Sequence, residues 1–270
     1  MPKKSVRRSA VITLPPEEFT NPSLNGFVVR ICPPRMGSKF FYTIRTHKVG
    51  NSSFQCCKEI INQKWSGNCI LCSQWGKFYS EYFEKEECDP MAWFASAAQG
   101  TTLGKTTKPR FYPGTIDEFK QHMTDLKPIE RYYFNVIIRG EEELGVRKWS
   151  CGKPIYNVIL EGMLGNPKNV NVPVLGDITD PKKGYDLHVR NGLYRSDIVN
   201  TSAQFLPTSP LGTRSQIKRW FDQLYDLTAL RHLKSDEEML SALENTFGYL
   251  GPVNPNQKYR FITDPWEPAW

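Results

Sequence analysis

The chain has no run of eighteen apolar residues, so nothing in it reads as a membrane-spanning helix. Its N-terminus, MPKKSVRRSAVITLPPEEF, carries basic residues but only a four-residue apolar patch before a double proline, which argues against a secretory signal peptide. The signatures of several enzyme classes are also missing. There is no G-x-x-x-x-G-K-[ST] for nucleotide phosphates, no H-E-x-x-H zinc-protease helix and no G-x-S-x-G nucleophile turn. Histidine is scarce at four residues, and the seven cysteines are an odd number in a chain too large to depend on disulfides. That usage suits a reducing, intracellular setting.

Four of those cysteines and one histidine fall within residues 46–72, THKVGNSSFQCCKEIINQKWSGNCILC. Cys69 and Cys72 form a C-x-x-C pair, a spacing that lets two thiolates of one turn address one metal ion, and tetrahedral zinc needs two further donors. His47 and one of the adjacent Cys56 and Cys57 supply them. Adjacent residues on a strand point to opposite faces, so only one of that pair is expected to face the metal, and the sequence leaves open which. Four protein ligands close the site. The glutamate that a zinc deaminase carries two residues after its histidine is absent, since Lys48 and Val49 follow His47, and both points favour structural zinc. The competing readings are buried thiols or a redox pair. A redox C-x-x-C would open a helix after a strand in a βαβ unit, and the sequence does not read that way.

With 270 residues, the chain can build one substantial core or two smaller ones. GFVVRICPP and KFFYTIRTH before the cluster, and RYYFNVIIRG and YDLHVRNGLY after it, read as short strands. About fifty residues between them, roughly 76–128, read as an insertion with two short helices and a Gly/Thr/Lys loop. Strands without regular helical crossovers predict an antiparallel or barrel-like sheet, with the helical content last. Ile217, Trp220, Phe221, Leu224, Leu227, Leu230 and Leu233 follow helical spacing over 215–233. A second helix opens with a Ser235–Glu238 capping box and closes near Gly248. Residues 251–270 are proline-rich and predict an extended tail. GDITDPKKGYD gathers Asp177, Asp180 and Asp186, but its Pro181 and Gly184 suit a turn better than a calcium loop or a two-metal nuclease site.

Lysine and arginine total 35 against 28 acids, a surplus of seven, which favours a polyanionic partner. Aromatic residues stand beside the basic ones in RYYFNVIIR, VRKWSCGK and HVRNGLYR. Single-stranded nucleic acid calls for that mixture, because its bases stack on flat rings at roughly 1–3 kcal/mol each while its phosphates pair with cations.

Four blocks in order resemble the single-stranded-DNA-binding, or helix-destabilising, replication proteins of T-even-type tailed phages. The first is GFVVRICPP leading into His47, Cys56/Cys57, Cys69 and Cys72, similar to that family's histidine plus three-cysteine zinc site. YYFNVIIR with VRKWSCGKPIYNVI, then GYDLHVRNGLYRSD, then WFDQLYDLTALRHLKSDEEMLSALENTFG complete the likeness, which covers roughly residues 25–250. The resemblance implies an α+β, mainly antiparallel fold: an OB-type barrel with a small zinc subdomain (about 45–75) and closing helices (about 214–248) within a core of residues 21–250. It implies one structural zinc and a cleft with Tyr132, Tyr133, Trp149 and Tyr194 as stacking rings. Arg30, Arg139, Arg147, Lys148 and Arg195 are its phosphate contacts, and Trp149→Ala is expected to weaken oligonucleotide binding without unfolding the chain.

Residues 1–20 would be a basic arm in which Lys3, Lys4, Arg7 and Arg8 support cooperative contacts with further copies along the DNA. The family's long acidic tail has no counterpart here. The chain ends in DPWEPAW, expected to stand in as a docking peptide for phage replication and recombination proteins. The expected function is coating and protecting single strands in phage replication, recombination and repair, without catalysis, in the cytoplasm of the infected host. The alternative is a zinc-stabilised transcription or assembly adaptor that binds protein or duplex DNA.

Overall fold

A computed structural model describes residues 26–35, 37–61, 64–82, 114–166, 173–194 and 197–248. The chain forms two units. The first comprises residues up to Ile44 together with Glu130–Arg231, and the second comprises Arg45–Ile129 and the residues from His232 onward.

The first unit is built on β1 (Phe27–Ile31), the start of β2 (Phe41–Val49), β6 (Ile129–Ile138), β7 (Arg147–Cys151), β8 (Tyr185–Tyr194) and β9 (Asp197–Thr208). Strand order is β2-β6-β1-β8-β9, with β7 also on β6. The pairs β1–β6, β1–β8, β6–β7 and β8–β9 are antiparallel, with Arg30 opposite Ile137 on one side and Asp186 on the other. Among the described residues the sheet is open, running to β9 without returning on itself.

Both faces of this sheet are covered. Helix α3 (Lys153–Leu164) sets Ile155 and Ile159 against Val29, Ile31, Tyr132, Phe134, Val136, Leu187 and Val189. On the opposite face, Trp220 and Leu224 at α4 (Arg214–Gln223) pack with Cys32 and Ile137, while Leu227 and Leu230 of a 3₁₀ turn pack with Ile44 and Tyr133. Each fully buried side chain of this size contributes roughly 1.5–3 kcal/mol.

The helix predicted across 215–233 is therefore two elements. α4 starts on a Thr213–Gln216 capping box and stops at Gln223, because the next backbone groups are claimed from elsewhere. The Arg35 guanidinium donates to the Leu224 carbonyl, and the Asn135 amide both donates to the Tyr225 carbonyl (3.0 Å) and accepts from its N–H (3.1 Å). Asp226 then caps the 3₁₀ turn through the Thr228 N–H.

In the second unit, the end of β2 pairs with β3 (Ser52–Gln55), and β4 (Glu59–Ile61) pairs with β5 (Lys64–Ser66). The core comes from α1 (Ile70–Tyr82), α2 (Ile116–Leu126) and α5 (Asp236–Phe247). Phe119, Met123 and Leu126 of α2 and Met239, Leu243 and Phe247 of α5 recur at helical spacing and meet Val49, Phe54, Ile70 and Leu71. The predicted Ser235–Glu238 box is present, and Gly248 ends the helix at φ 80°. Residues 76–82 continue α1, and α2 is core to this unit, so the segment read as an insertion supplies packing through α2.

Candidate metal centre

His47 is the third residue from the C-terminal end of β2, which places its ring on the buried side of the β2–β3 hairpin opposite Phe54. Cys56 immediately follows β3, and its N–H still donates to the Arg45 carbonyl at 2.8 Å. Gly67, at φ 106°, turns the chain out of β5 toward Cys69, and Cys72 sits in the first turn of α1. The C-x-x-C pair thus opens a helix after a strand, contrary to the sequence expectation. The strand belongs to a small antiparallel hairpin, and two further donors meet the pair, which separates it from a redox motif.

The His47, Cys56, Cys69 and Cys72 donor atoms all lie within 4.8 Å of one another, and all four residues are buried. Cys56 Sγ is 3.5 Å from Cys72 Sγ, and His47 Nε2 is 3.5 Å from Cys72 Sγ and 3.7 Å from Cys69 Sγ. A zinc tetrahedron with bonds of about 2.3 Å to sulfur and about 2.0 Å to nitrogen has sulfur–sulfur edges of about 3.8 Å and sulfur–nitrogen edges of about 3.5 Å. These three edges agree to a few tenths of an ångström and every donor pair lies within 4.8 Å, so the four residues are compatible with one structural zinc ion. Bound there, the ion would cross-link β2, the end of β3 and the start of α1.

The Leu126 carbonyl fixes the histidine. It accepts from His47 Nδ1 at 2.7 Å, which holds the proton on that nitrogen and turns the Nε2 lone pair toward the thiols. No sequence signal marks this partner, because a backbone carbonyl is the same at every residue. Burial opposes a charge on His47, but hydrogen bonds to Cys56 and Cys69 outweigh it and push the imidazole up to about 9. Cys69 is held well below the ordinary thiol value by hydrogen bonds from Cys56, Cys57 and Cys72, while Cys72 is pushed far up. One thiolate among proton-bearing neighbours is an arrangement that a divalent cation would bind by displacing those protons.

Of the adjacent pair, Cys56 belongs to the four-donor set and is 3% exposed, whereas Cys57 is half-buried. The premise of opposite strand faces does not apply, because β3 ends at Gln55 and both cysteines follow it. Gln55 itself accepts from the His232 N–H at 2.8 Å, fixing the residue before Cys56.

The residues predicted to contact DNA lie elsewhere in the fold. Arg30 is fully buried, donating to the Asp180 carbonyl (2.7 Å), Ser209 Oγ (3.3 Å) and Asp186 (3.4 Å). Arg139 donates to Asp186 at 2.8 and 3.0 Å and to the Leu211 and Pro210 carbonyls. Both guanidinium groups therefore serve internal contacts rather than a phosphate in this conformation.

Tyr132, Tyr133 and Trp149 are 5%, 6% and 2% exposed. Tyr132 stacks on Tyr156 with centroids 3.7 Å apart, and Trp149 packs on Phe27 and Phe134. Truncating Trp149 would open a core cavity, so stability and binding would fall together rather than binding alone. Lys148 is buried with its ammonium 4.4 Å over the Tyr225 ring, and Arg147 is half-buried. Tyr194 ends β8. Arg195 and the arm residues Lys3, Lys4, Arg7 and Arg8 lie outside the described residues, as does the tail 251–270. Residues 177–184 form a turn, with Asp177 accepting from Thr179 and Asp180 from the Lys182 and Lys183 N–H groups, whereas Asp186 lies beyond it in β8.

No helix among the described residues is long and apolar enough to cross a membrane. Compared with known proteins, the chain matches no family model and no curated relative.

Proposed function

We propose that the chain is a sequence-tolerant single-stranded-DNA-binding protein whose second unit is held together by one structural zinc ion, serving phage DNA replication, recombination and repair. The observation that carries this reading is the convergence of His47, Cys56, Cys69 and Cys72 on one point. That histidine plus three-cysteine set is the most specific motif in the likeness to the phage helix-destabilising proteins. The surplus of seven positive charges supports a polyanionic partner. On this reading the open antiparallel sheet of the first unit corresponds to the OB-type barrel that the resemblance implies. A metal with four protein ligands keeps no position for substrate water, so the role is binding rather than catalysis. Self-association along DNA, contacts with replication proteins and residence in the host cytoplasm belong to the same proposal.

The burial of Tyr132, Tyr133 and Trp149 shifts base stacking to the half-buried rings of the first unit. Phe40, Phe41 and Tyr156 form a contiguous set with centroids 5.1 and 5.2 Å apart, beside Lys39 and one turn after Lys153. The same burial favours a second reading, an adaptor whose basic surface meets protein or duplex DNA.

Fluorescence anisotropy of labelled oligo(dT) and a matched duplex, at several salt concentrations, separates the two. Tight binding to the single strand, with a log–log salt slope of about −0.7 per phosphate contacted, is the expected result. Equal binding to duplex, or none to either, would replace the proposal with the adaptor.

A further inference from the structure

Cys57 stands outside the four-donor set and yet beside it. It follows Cys56 past the end of β3, is half-buried, and packs against the cluster that contains Cys56, Cys69 and Cys72. Its thiol is hydrogen-bonded to Cys69, one of the four donors. Once the strand ends, adjacent side chains no longer diverge to opposite faces, so two neighbouring thiols can address one point. The other ligands have no such neighbour: Cys69 stands between Asn68 and Ile70, Cys72 between Leu71 and Ser73, and His47 between Thr46 and Lys48.

We propose that Cys57 is a reserve ligand of the metal centre, a fourth thiol able to take the place of Cys56 on a zinc-like divalent ion. The centre can then admit or surrender its ion by exchange of one sulfur for another instead of opening a bare position. This inference rests on the metal-centre reading above. The exchange balances without an oxidant. The Cys57 thiol gives its proton to water as its sulfur binds, and the Cys56 thiolate takes up a proton as it leaves, so the ion keeps three sulfurs and one nitrogen throughout.

The test uses the full chain and its Cys56→Ser, Cys57→Ser, Cys56→Ser/Cys57→Ser and Cys69→Ser variants. Each is titrated with Co²⁺ and Zn²⁺ and analysed for bound metal. Wild type and both single variants at 56 and 57 are expected to hold one ion. The double variant and Cys69→Ser should lose more affinity than the roughly 10–100-fold that removing an outer partner of a ligand costs. The thiolate-to-cobalt absorption of Cys56→Ser should match wild type, whereas a site that simply dropped one of three sulfurs would lose about a third of it.

A Cys56→Ser chain as depleted as Cys69→Ser, or one with the band reduced by that third, overturns the reserve role while leaving the centre intact. A wild-type chain that takes up neither ion overturns the centre and the inference with it. Cys57→Ser gives an independent check that does not depend on Cys56→Ser folding. It should pass its zinc to a chromophoric chelator severalfold more slowly than wild type, and an unchanged transfer rate would contradict the proposal.

Discussion

Two guanidinium groups converge on one carboxylate inside the first unit. Asp186 Oδ1 accepts from Arg30 and from Arg139, and Asp186 Oδ2 accepts from Ser209 Oγ at 2.9 Å. Burial lowers the Arg30 value and Asp186 opposes that shift, so the pair survives as a charged contact with the Asp180 carbonyl as its third support. Replacing Arg30 with Met leaves Asp186 only one cationic partner. It should cost roughly 3 kcal/mol in denaturant unfolding while the salt slope of oligonucleotide binding stays unchanged. Loss of a phosphate contact would instead reduce that slope by about 0.7, which would return Arg30 to the binding surface. The strand FVVRI shows a single cation among apolar residues and reads naturally as one outward-facing charge. Its burial depends on Asp186, opposite it in the β1–β8 register and 156 positions later, and no local pattern reveals that pairing. Cys32 and Cys151 are simpler. Burial pushes both thiols up to about 12, as expected of unreactive core cysteines.

At the scale of elements, local signals and long-range contacts divided the outcome. The Ser235–Glu238 box and the Gly248 stop lie within one helix, and both are where the sequence puts them. The helix over 215–233 kept its apolar periodicity and still broke, because Asn135, 90 positions earlier on β6, takes both polar groups of Tyr225. Asn135→Ala would strand those groups next to a packed core. We expect a loss of about 2 kcal/mol and raised amide hydrogen exchange at Tyr225. Unchanged protection at Tyr225 would mean that the break comes from elsewhere. The same strand carried a legible warning about the aromatic candidates. Every residue from Tyr132 to Ile138 is buried, and a run apolar on both sides of the pleat is the mark of a strand covered on both faces. Reading Tyr132 and Tyr133 as cleft rings required one bare face, and α3 on one side with the 3₁₀ turn on the other removes it.

The whole molecule is two units that the chain enters alternately, crossing after Ile44, Ile129 and Arg231. Each has its own core, and the second is organised around the donors of residues 46–72. That centre was the most legible part of the sequence, since cysteine and histidine spacing expresses coordination chemistry directly. What the spacing could not reveal was the support: the Leu126 carbonyl comes from a helix that read as part of an insertion, and the choice of Cys56 depends on where β3 ends. Barrel closure was likewise beyond reach, because hydrophobic alternation identifies strands without saying whether the first and last of them meet. The central claim is that four protein side chains close one metal site, and X-ray absorption at the zinc edge of the purified chain tests it most directly. The account predicts about three sulfurs near 2.3 Å and about one imidazole nitrogen near 2.0 Å, with no oxygen in the first shell. A bound water, fewer than three sulfurs, or a chain that holds no zinc would contradict it.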